Sequence, residues 1–345
     1  MKDIGIGVVG LGRLGAVHAR NISKRIKKAG LIAVCDLDES LARSTAAELR
    51  CRYFTDMRRM IDERSIDAVC VATPTAHHVE PVSAVAEAGK PLFCEKPLSD
   101  NLKDTLHLVK LIKQAGIQCQ VGFHRRFDRA YAEAEQMIEE GAIGKPVYFH
   151  AVSRDPFPPP PWACDPERGG GLFIDMLLHD FDLARFLMKD EVASVFADET
   201  NLVVDGEGIN RFADNVTASL RFEKGALGTA HASMHARYGY DIRSEVFGSE
   251  GGLLIGGLNS TELTLCTPER GISRPRTFLP EGDSPHFMVR FKEAYISEIS
   301  AFVDCILDGA PVKVNEDDAL KAFQVSLAAA RSAGERKPVS LLTEA

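Results

Sequence analysis

Short runs of apolar residues alternate with longer amphipathic stretches over the first 122 residues of the chain. The runs lie at 4–9, 31–35, 68–72, 91–94 and 117–122, and the amphipathic stretches lie near 14–28, 39–49, 76–88 and 101–115. A run that is apolar at every position, such as Ile4–Val9, is expected of a strand buried on both faces of a parallel sheet. Strands that alternate with helices in this way predict a doubly wound α/β domain of the Rossmann type over residues 1–122.

The rhythm changes after residue 123. Strand-like segments lie at 145–152, 193–201, 214–221, 226–233, 243–247 and 263–266, and helical patterns lie at 126–140, 173–188, 288–308 and 316–334. Turn residues such as Glu223-Lys224-Gly225 separate neighbouring strands and favour hairpins. We therefore predict an α+β domain with a large, mostly antiparallel open sheet over residues 123–345, whose last helices return to the first domain. The proline-rich segment 156–161 predicts an extended loop.

Composition narrows the class of protein without changing this architecture. The chain has 345 residues, of which 45% are hydrophobic, and its 41 basic and 49 acidic residues give a net charge of −8. A net acidic chain without a basic block makes nucleic acid and anionic membranes unexpected partners. No apolar run approaches the ~18–20 residues of a membrane helix, and no secretory signal is evident. The eight cysteines form no CxxC pair, so we expect reduced thiols, no metal site and a cytoplasmic protein.

The first predicted strand leads directly into a glycine-rich turn. Gly10-Leu11-Gly12-Arg13-Leu14-Gly15 fits G-x-G-x-x-G and opens a helical pattern. In this context the glycines allow a tight turn, close approach of a pyrophosphate and close helix–strand packing. Asp36 follows the second strand, where a carboxylate accepts hydrogen bonds from ribose hydroxyls and repels a 2′-phosphate. The pattern favours NAD over NADP as the cofactor; an ordinary tight turn is the alternative.

Polar residues also follow the later strands of the predicted parallel sheet, at the edge where such sheets bind ligands. The fourth strand ends in Thr73-Pro74-Thr75-Ala76-His77, the fifth in Glu95-Lys96-Pro97 and the sixth in Gly122–Asp128. Lys96 lies between an apolar strand and a proline, which keeps it close to the sheet. An ammonium group there can polarise or exchange a proton with a substrate hydroxyl. A solvated lysine at a strand end is the alternative interpretation.

A second candidate constellation follows the glycines at 169–171. The segment enters a helical pattern in which Asp175, His179 and Asp182 fall together beside the apolar stripe. Asp175 and His179 are four positions apart, so on one helix their side chains are within reach of each other. A carboxylate that fixes the tautomer of an imidazole is an arrangement suited to a general base. The alternative is a solvated helix edge that carries an incidental Asp–His pair.

Together these motifs resemble the Gfo/Idh/MocA family of oxidoreductases. The matching segments occur in the family's order along the chain: the glycine loop with Asp36, Ala72-Thr73-Pro74 with His77, Glu95-Lys96-Pro97, and Asp175-x-x-x-His179. Within the family the likeness is greatest to the myo-inositol 2-dehydrogenases, on the segments 121–128, 153–156, 238–241 and 291–295. Some inositol dehydrogenases carry His where this chain has Ser153 and Asn where it has Asp155.

The resemblance implies a role for each matching residue. Lys96, Asp175 and His179 would be catalytic, with His179 as the proton acceptor, Asp175 as its orienting partner and Lys96 on the reacting oxygen. The substrate would also contact the residues Arg125, Asp155, Tyr240 and Tyr295. The cofactor NAD would contact the glycine loop and the residues Asp36, Thr73, Pro74, His77, Glu95 and Lys96.

The reaction implied is the NAD-dependent oxidation of a cyclic polyol hydroxyl to a ketone, with myo-inositol converted to 2-keto-myo-inositol. Another inositol isomer or an aldose sugar is the alternative substrate. A different class of function stays open, either an NAD-dependent glycoside hydrolase or a sensor that binds the dinucleotide without turnover. An open sheet exposes one face unless subunits pair there, and the resemblance adds the expectation of a homo-oligomer, a tetramer rather than a dimer.

Overall fold

The computed structural model describes residues 3–156, 171–203, 213–258, 260–269, 271–278 and 287–341. The chain divides into two compact units. The first unit comprises residues 1–124 and 293–320, and the second comprises residues 125–292 and 321–345. The predicted loop at 156–161 lies outside the described residues except for Pro156.

The first unit is built on a parallel sheet. Its described strands are β1 (Ile4–Val9), β2 (Ala29–Cys35), β3 (Arg52–Phe54), β4 (Ala68–Val71), β5 (Leu92–Cys94) and β6 (Cys119–Val121), in the order β3-β2-β1-β4-β5-β6. Its helices before residue 124 are α1 (Arg13–Lys24), α2 (Glu39–Leu49), α3 (Met57–Ile61), α4 (Val79–Glu87) and α5 (Leu102–Ala115). This order, parallel throughout, confirms the predicted Rossmann architecture.

The burial of each strand explains whether its sequence contains the apolar run that predicts a strand. Every residue of β1, β4, β5 and β6 is buried, as expected of strands covered on both faces. Strand β3 lies at the edge of the sheet, and its residues Arg52 and Tyr53 are exposed. Its sequence therefore lacks the apolar run on which the prediction rested, and β3 was missed together with α3.

A late segment of the chain contributes to the core of the first unit. The helical pattern at 288–308 corresponds to two helices in the structure, α9 (Phe287–Arg290) and α10 (Lys292–Asp308), which Phe291 separates. Ile299, Phe302 and Val303 of α10 are at most 1% exposed and pack in the same apolar cluster as Val8 and Phe93 of the parallel sheet. The last long helix, α11 (Glu316–Glu335), begins in the first unit and continues in the second.

The second unit holds a large mixed sheet. Its described strands are β7 (Pro146–Arg154), β8 (Val192–Thr200), β9 (Asn215–Phe222), β10 (Leu227–Ser233), β11 (Asp241–Gly248), β12 (Gly252–Leu258), β13 (Ser260–Thr267), β14 (Gly271–Phe278) and β15 (Val339–Ser340). Their order is β14-β13-β12-β11-β7-β10-β9-β8-β15. Only β7 and β10 run parallel among these described neighbours, so the prediction of a mostly antiparallel sheet is confirmed.

Helices cover one face of this sheet. They include α6 (Arg129–Glu139), α7 (Gly171–Asp175) and α8 (Leu177–Met188). Strand β9 alternates between buried and exposed residues, as expected of a sheet packed on one face. The opposite face carries Phe196, Leu227, Phe247 and Leu254, which are 44–53% exposed and which the strand register places on the same side. These four residues define what we call the open apolar face; the sequence predicts an exposed face on this sheet but did not identify its residues.

Three strands of the second unit, β12, β14 and the two-residue β15, were not predicted from the sequence. Strand β12 reads Gly-Leu-Leu-Ile-Gly-Gly-Leu and shows no alternation, while β14 contains Pro275, which its place at the sheet edge tolerates. The helix predicted over 173–188 is divided at Met176 into α7 and α8.

Two further expectations concern the whole described chain. No helix in the described ranges is long and apolar enough to cross a bilayer. Seven cysteines fall within the described residues, and all seven are free thiols.

Candidate active site

The glycine loop leaves β1 in a backbone conformation that requires glycine. Gly10 has φ of +88°, in the left-handed region, and its N–H donates to the Cys35 carbonyl at 2.8 Å. A Cβ at this position would lie 2.6 Å from the Thr73 nitrogen. The turn between β1 and α1 therefore packs directly against the loop that follows β4, and no side chain fits between the two.

The other two glycines of the motif, Gly12 and Gly15, have different structural roles. A Cβ at Gly15 would lie 1.9 Å from the Gly10 carbonyl oxygen, so this glycine allows α1 to start close to the strand. A Cβ at Gly12 would meet no described protein atom within 4 Å. Gly12 also precedes α1, which carries no side-chain cap at its described N-terminus. Open space in front of helix N–H groups fits the pyrophosphate of a dinucleotide.

Asp36 holds the glycine loop from the end of β2. Its Oδ2 accepts the Leu11 N–H at 2.7 Å, and its Oδ1 accepts the Asp38 N–H at 3.0 Å. Each carboxylate oxygen keeps a second lone pair for a ribose hydroxyl. The next side chain, Leu37, is 92% exposed. The residues therefore fit an adenosine with free 2′- and 3′-hydroxyls.

Two histidines follow β4, and the structure gives them different positions. His77 is exposed, and its carbonyl accepts the Thr73 hydroxyl at 3.2 Å. His78 is 1% exposed, and its ring nitrogens lie 2.9 Å from the carbonyl oxygens of Thr73 and Pro97. His78 thus connects the loop after β4 to the loop after β5.

The motif after β4 indicated His77 as a functional residue but not His78. The usable signal was helical spacing, because His78 lies four residues before Val82, which is 0% exposed in α4. Burial lowers the pKa of His78, and hydrogen bonds to backbone carbonyls oppose this shift. The ring is therefore neutral near pH 7 and donates through one nitrogen at a time.

Glu95 and Lys96 follow β5 and differ in burial. Glu95 is 5% exposed, and its Oε1 lies 2.6 Å from Nε2 of His18 in α1. Its Oε2 accepts the Lys96 backbone N–H at 3.3 Å. Lys96 itself is half-buried. Glu95 therefore holds the backbone of Lys96, whose ammonium group is the candidate for chemistry.

Tyr295 of α10 joins the same part of the first unit. Its ring stacks on His124 with centroids 4.6 Å apart and meets His18 edge-on at 5.9 Å. It is 2% exposed. Tyr295 is thus 200 residues from Glu95 along the chain and shares its neighbour His18.

In the second unit, Arg125 is part of a closed polar triad. Its Nη1 donates to Ser153 Oγ at 2.9 Å and to Asp180 Oδ1 at 2.8 Å, and the Ser153 hydroxyl donates to Asp180 Oδ2 at 2.6 Å. All three residues are at most 3% exposed. Burial raises the pKa of Asp180, and the charge of Arg125 limits the rise. Arg125 Nε has no hydrogen-bond partner within the described residues.

Tyr240 and Asp155 lie in the same unit. Tyr240 is 7% exposed and meets Phe291 edge-on at 6.3 Å. Burial raises its pKa to about 12, so its hydroxyl stays protonated. Asp155 is half-buried at the end of β7, where its backbone N–H donates to the Ser233 carbonyl at 2.9 Å.

Asp175 and His179 lie on two helices instead of one. Asp175 ends α7 and is half-buried, while His179 lies in α8 and is 8% exposed. Met176, with φ −104° and ψ −58°, separates the helices, and the His179 N–H donates to its carbonyl at 3.2 Å. The expectation that the pair shares one continuous helix is therefore wrong.

Helix α8 is also more deeply buried than an amphipathic pattern predicts. Its acidic residues are covered because each meets an arginine, as Asp182 meets Arg126 at 2.8 and 2.5 Å. Asp182 is thus an ion-pair partner within the core of the unit. No regular spacing along the chain indicates this pair, which joins two different helical segments.

Comparison with known proteins agrees with the geometry of both units. A family model described as an oxidoreductase family with an NAD-binding Rossmann fold matches residues 4–123, and a model of the GFO/IDH/MocA C-terminal domain matches residues 131–254. The myo-inositol 2-dehydrogenase of Thermotoga maritima is 39% identical to the chain over 97% of it and 98% of the relative. The chain belongs to the Gfo/Idh/MocA family.

Two further relatives are scyllo-inositol dehydrogenases, and the structure of one of them contains bound ligands. The scyllo-inositol 2-dehydrogenase (NAD(+)) of Bacillus subtilis is 36% identical over 97% of this chain and 95% of the relative. The structure of scyllo-inositol dehydrogenase from Lactobacillus casei with bound NAD(H) and scyllo-inositol superposes with a TM-score of 0.85. It is 30% identical and covers 98% of this chain and 99% of its own. This member of the family is thus an NAD-dependent dehydrogenase that acts on CH–OH donors.

Membership in the family accounts for the arrangement in the first unit. The glycine loop, Asp36 and the Thr73-Pro74 loop all lie at the carboxyl ends of parallel strands, and hydrogen bonds or close backbone contacts join them. The predicted cofactor NAD is confirmed at the level of the family. The role of each single residue stays a prediction.

Proposed function

We propose that this dehydrogenase oxidises one hydroxyl of an inositol, with myo-inositol as the substrate and 2-keto-myo-inositol as the product. The observation that carries this proposal is the 39% identity to a myo-inositol 2-dehydrogenase over 97% of the chain. Lys96, Asp175 and His179 are all present at the positions where the family motifs occur. We place the enzyme in the cytoplasm, because the buried free thiols of Cys70 and Cys94 suit a reducing compartment.

Oxidation of a secondary alcohol needs a hydride acceptor, a base and a group that binds the reacting oxygen. Bound NAD supplies the hydride acceptor. His179 takes the hydroxyl proton, and Asp175 orients the imidazole for that transfer. The Lys96 ammonium donates a hydrogen bond to the oxygen and stabilises the negative charge that develops there.

The other hydroxyls of the ring need hydrogen-bond partners, since a polar site discriminates by leaving groups unpaired when a hydroxyl is missing. Tyr240 offers a protonated hydroxyl, and Asp155 and Tyr295 offer a carboxylate and a second phenol. Arg125 is held by Ser153 and Asp180 and presents a fixed positive charge. We assign these four residues to the substrate.

An alternative isomer has its own support, because the Bacillus subtilis relative is a scyllo-inositol 2-dehydrogenase. A screen of NADH formation over myo-inositol, scyllo-inositol, D-chiro-inositol, glucose, galactose and xylose separates the isomers and the aldoses. The highest kcat/KM is expected for myo-inositol. Net NADH from a free polyol excludes the glycoside hydrolase and the sensor, whereas no NADH from any of the six rejects the proposal.

Two variants test the assigned chemistry. Lys96→Ala and His179→Ala should each abolish turnover while NAD still binds, which fluorescence titration measures. The matched control is Lys103→Ala, an exposed lysine in α5, which should keep wild-type kcat. Near wild-type kcat in either catalytic variant contradicts the mechanism.

We also propose that two copies of the chain pair through the open apolar face and that the enzyme is a homo-oligomer, with a tetramer as the expected form. This face carries four large apolar side chains that are about half exposed, and an apolar surface of this kind favours association with a second copy. Phe247→Asp combined with Leu254→Asp should reduce the mass found by sedimentation, whereas Tyr53→Asp, on the first unit, should leave it unchanged. A monomeric wild-type protein contradicts this proposal.

A further inference from the structure

Three titratable side chains meet in the interior of the first unit. His18 lies on α1, Glu95 follows β5 and Glu298 lies on α10. Their exposed fractions are 0%, 5% and 0%, and their nearest nitrogen and oxygen atoms lie within 4.8 Å of one another. We call these three residues the buried acid cluster. Two carboxyl groups share it with one imidazole, so the state of its protons is not fixed by simple charge pairing.

Hydrogen bonding identifies which group is the anion. Nε2 of His18 lies 2.6 Å from Glu95 Oε1, whereas its Nδ1 has no partner within the described residues. A buried N–H without an acceptor costs free energy, so the hydrogen belongs on Nε2 and the ring is neutral. His18 then donates to Glu95, which is a carboxylate. The second oxygen of Glu95 accepts the Lys96 backbone N–H.

Glu298 has no comparable partner for a negative charge. Neither of its carboxyl oxygens has a hydrogen-bond partner among the described residues, and its ionisable neighbours are Glu95, His18 and the Cys70 thiol of β4. None of these supplies a positive charge when His18 is neutral. Burial, with the charge of Glu95 acting in the same direction, raises the pKa of Glu298 well above its usual range. An isolated carboxylate in such surroundings is strongly disfavoured.

We infer that Glu298 is a neutral carboxylic acid in the folded enzyme and that its O–H donates to the Glu95 carboxylate. Glu298 is then a positioning residue: it fixes Glu95, and Glu95 fixes the backbone of Lys96. Two hydrogen bonds to Glu95, from His18 Nε2 and from the Lys96 backbone N–H, already stabilise one negative charge there, and the inferred O–H of Glu298 adds a third. The catalytic consequence rests on the function proposed above, but the protonation state does not.

Infrared spectroscopy tests the protonation state without substrate. A neutral carboxylic acid absorbs above the amide I region, so the wild-type spectrum near pH 7 should contain a band that is missing in Glu298→Gln. The matched control is Glu293→Gln, on an exposed glutamate of the same helix, which should keep the band. A band of equal intensity in wild type and Glu298→Gln overturns the inference. One stoichiometric metal ion found by elemental analysis of the purified enzyme, and lost in Glu298→Gln, also overturns it.

The pH dependence of stability gives a second readout. A folded-state pKa above the unfolded one means that the folded protein holds a proton that the unfolded chain releases above pH ~4.5. The stabilisation of wild type relative to Glu298→Gln is therefore full below this pH and declines as the pH rises. Above it, the ratio of the two folding constants should fall about tenfold per pH unit up to the folded pKa. Urea titrations can be made between about pH 5 and pH 8. A ratio of folding constants that stays constant over this range overturns the inference.

Activity tests the positioning role. Glu298→Gln keeps a neutral donor of the same shape and should keep kcat within about twofold of wild type, whereas Glu298→Leu removes the donor and should lower kcat about tenfold or more with little change in KM. Equal kcat in the Leu variant and wild type overturns the positioning role. If the wild-type enzyme is inactive on every inositol, the proposed function fails while the infrared and pH results still decide the state of Glu298.

Discussion

The two units of the chain fix their functional loops by different contacts. In the first unit, side chains hold backbone: Asp36 accepts from the Leu11 N–H, and His78 reaches the Thr73 carbonyl. In the second unit, side chains hold side chains: Arg126 forms a bidentate ion pair with Asp182, and both residues are at most 8% exposed. The first arrangement determines where a loop lies, and the second determines whether a buried charge has a partner.

Mutations in the two units should therefore have different effects, on ligand binding in the first and on stability in the second. Removing a side chain that holds a backbone group frees the loop, so the binding of a ligand by that loop suffers more than folding does. Removing one member of a buried ion pair leaves the other charge without compensation, and the free energy of unfolding falls. The four variants below test this contrast in order of decreasing effect.

Asp182→Ala should have the largest effect on stability. It leaves the Arg126 guanidinium buried without its carboxylate, which should lower the free energy of unfolding by about 3–5 kcal/mol, measured by urea titration. NAD affinity should be unchanged. Exchanging both members for apolar residues, with Arg126→Met and Asp182→Leu, should recover most of the loss. A single-variant loss below about 1 kcal/mol would place this pair among ordinary surface contacts.

His78→Ala should affect the cofactor more selectively. One buried carbonyl loses its donor, which should cost roughly 1–3 kcal/mol of unfolding free energy. The Thr73-Pro74 loop loses its attachment to Pro97, so the Kd for NAD should rise. His107→Ala, an exposed histidine in α5, is the matched control. Unchanged NAD affinity in His78→Ala would mean that the loop is held by its other contacts.

Asp36→Ser with Leu37→Arg should change cofactor preference with little effect on folding. The serine removes the charge that repels a 2′-phosphate, and the arginine supplies a partner for it at a position that is 92% exposed. The ratio of kcat/KM for NADP over NAD should rise at least tenfold, which corresponds to about 1.4 kcal/mol. An unchanged ratio would remove Asp36 from the determinants of cofactor choice.

Glu191→Gln should have the smallest effect and a pH dependence opposite to that of Glu298. Burial acts to raise the pKa of Glu191, but hydrogen bonds from Arg185 and Lys321 prevail and hold it at about 2. The stabilisation is therefore present above the ordinary carboxyl pKa and is lost as the pH falls toward 2. Because the Glu191 side chain is 35% exposed, the loss at pH 7 should be at most about 1 kcal/mol. A loss that grows as the pH falls would contradict this assignment.

The same contrast explains how much of the fold the sequence could predict. Strands β1, β4 and β5 are buried on both faces, so an apolar run predicts each of them directly. Edge strands such as β3 and β14 have no such requirement, and their polar residues and Pro275 conceal them.

The candidate site divides in a similar way. The glycine loop and Asp36 depend on local backbone geometry, which spacing along the chain encodes. The partners of Asp180 and Asp182 and the cluster neighbours of Glu298 come from segments 27 to 280 residues away, so their identity depends on tertiary packing that spacing does not express. The division of α7 from α8 at Met176 has no marker such as proline or glycine at that residue.

The core of the first unit also has a consequence for the order of synthesis. Ile299, Phe302 and Val303 pack with residues of β1 and β5, yet they leave the ribosome only after nearly the whole second unit has been made. The parallel strands are synthesised early. Part of their apolar surface then stays uncovered while about 170 residues of the second unit are synthesised. Premature termination before residue 293 would therefore release a nascent chain that exposes this surface to chaperones and proteases.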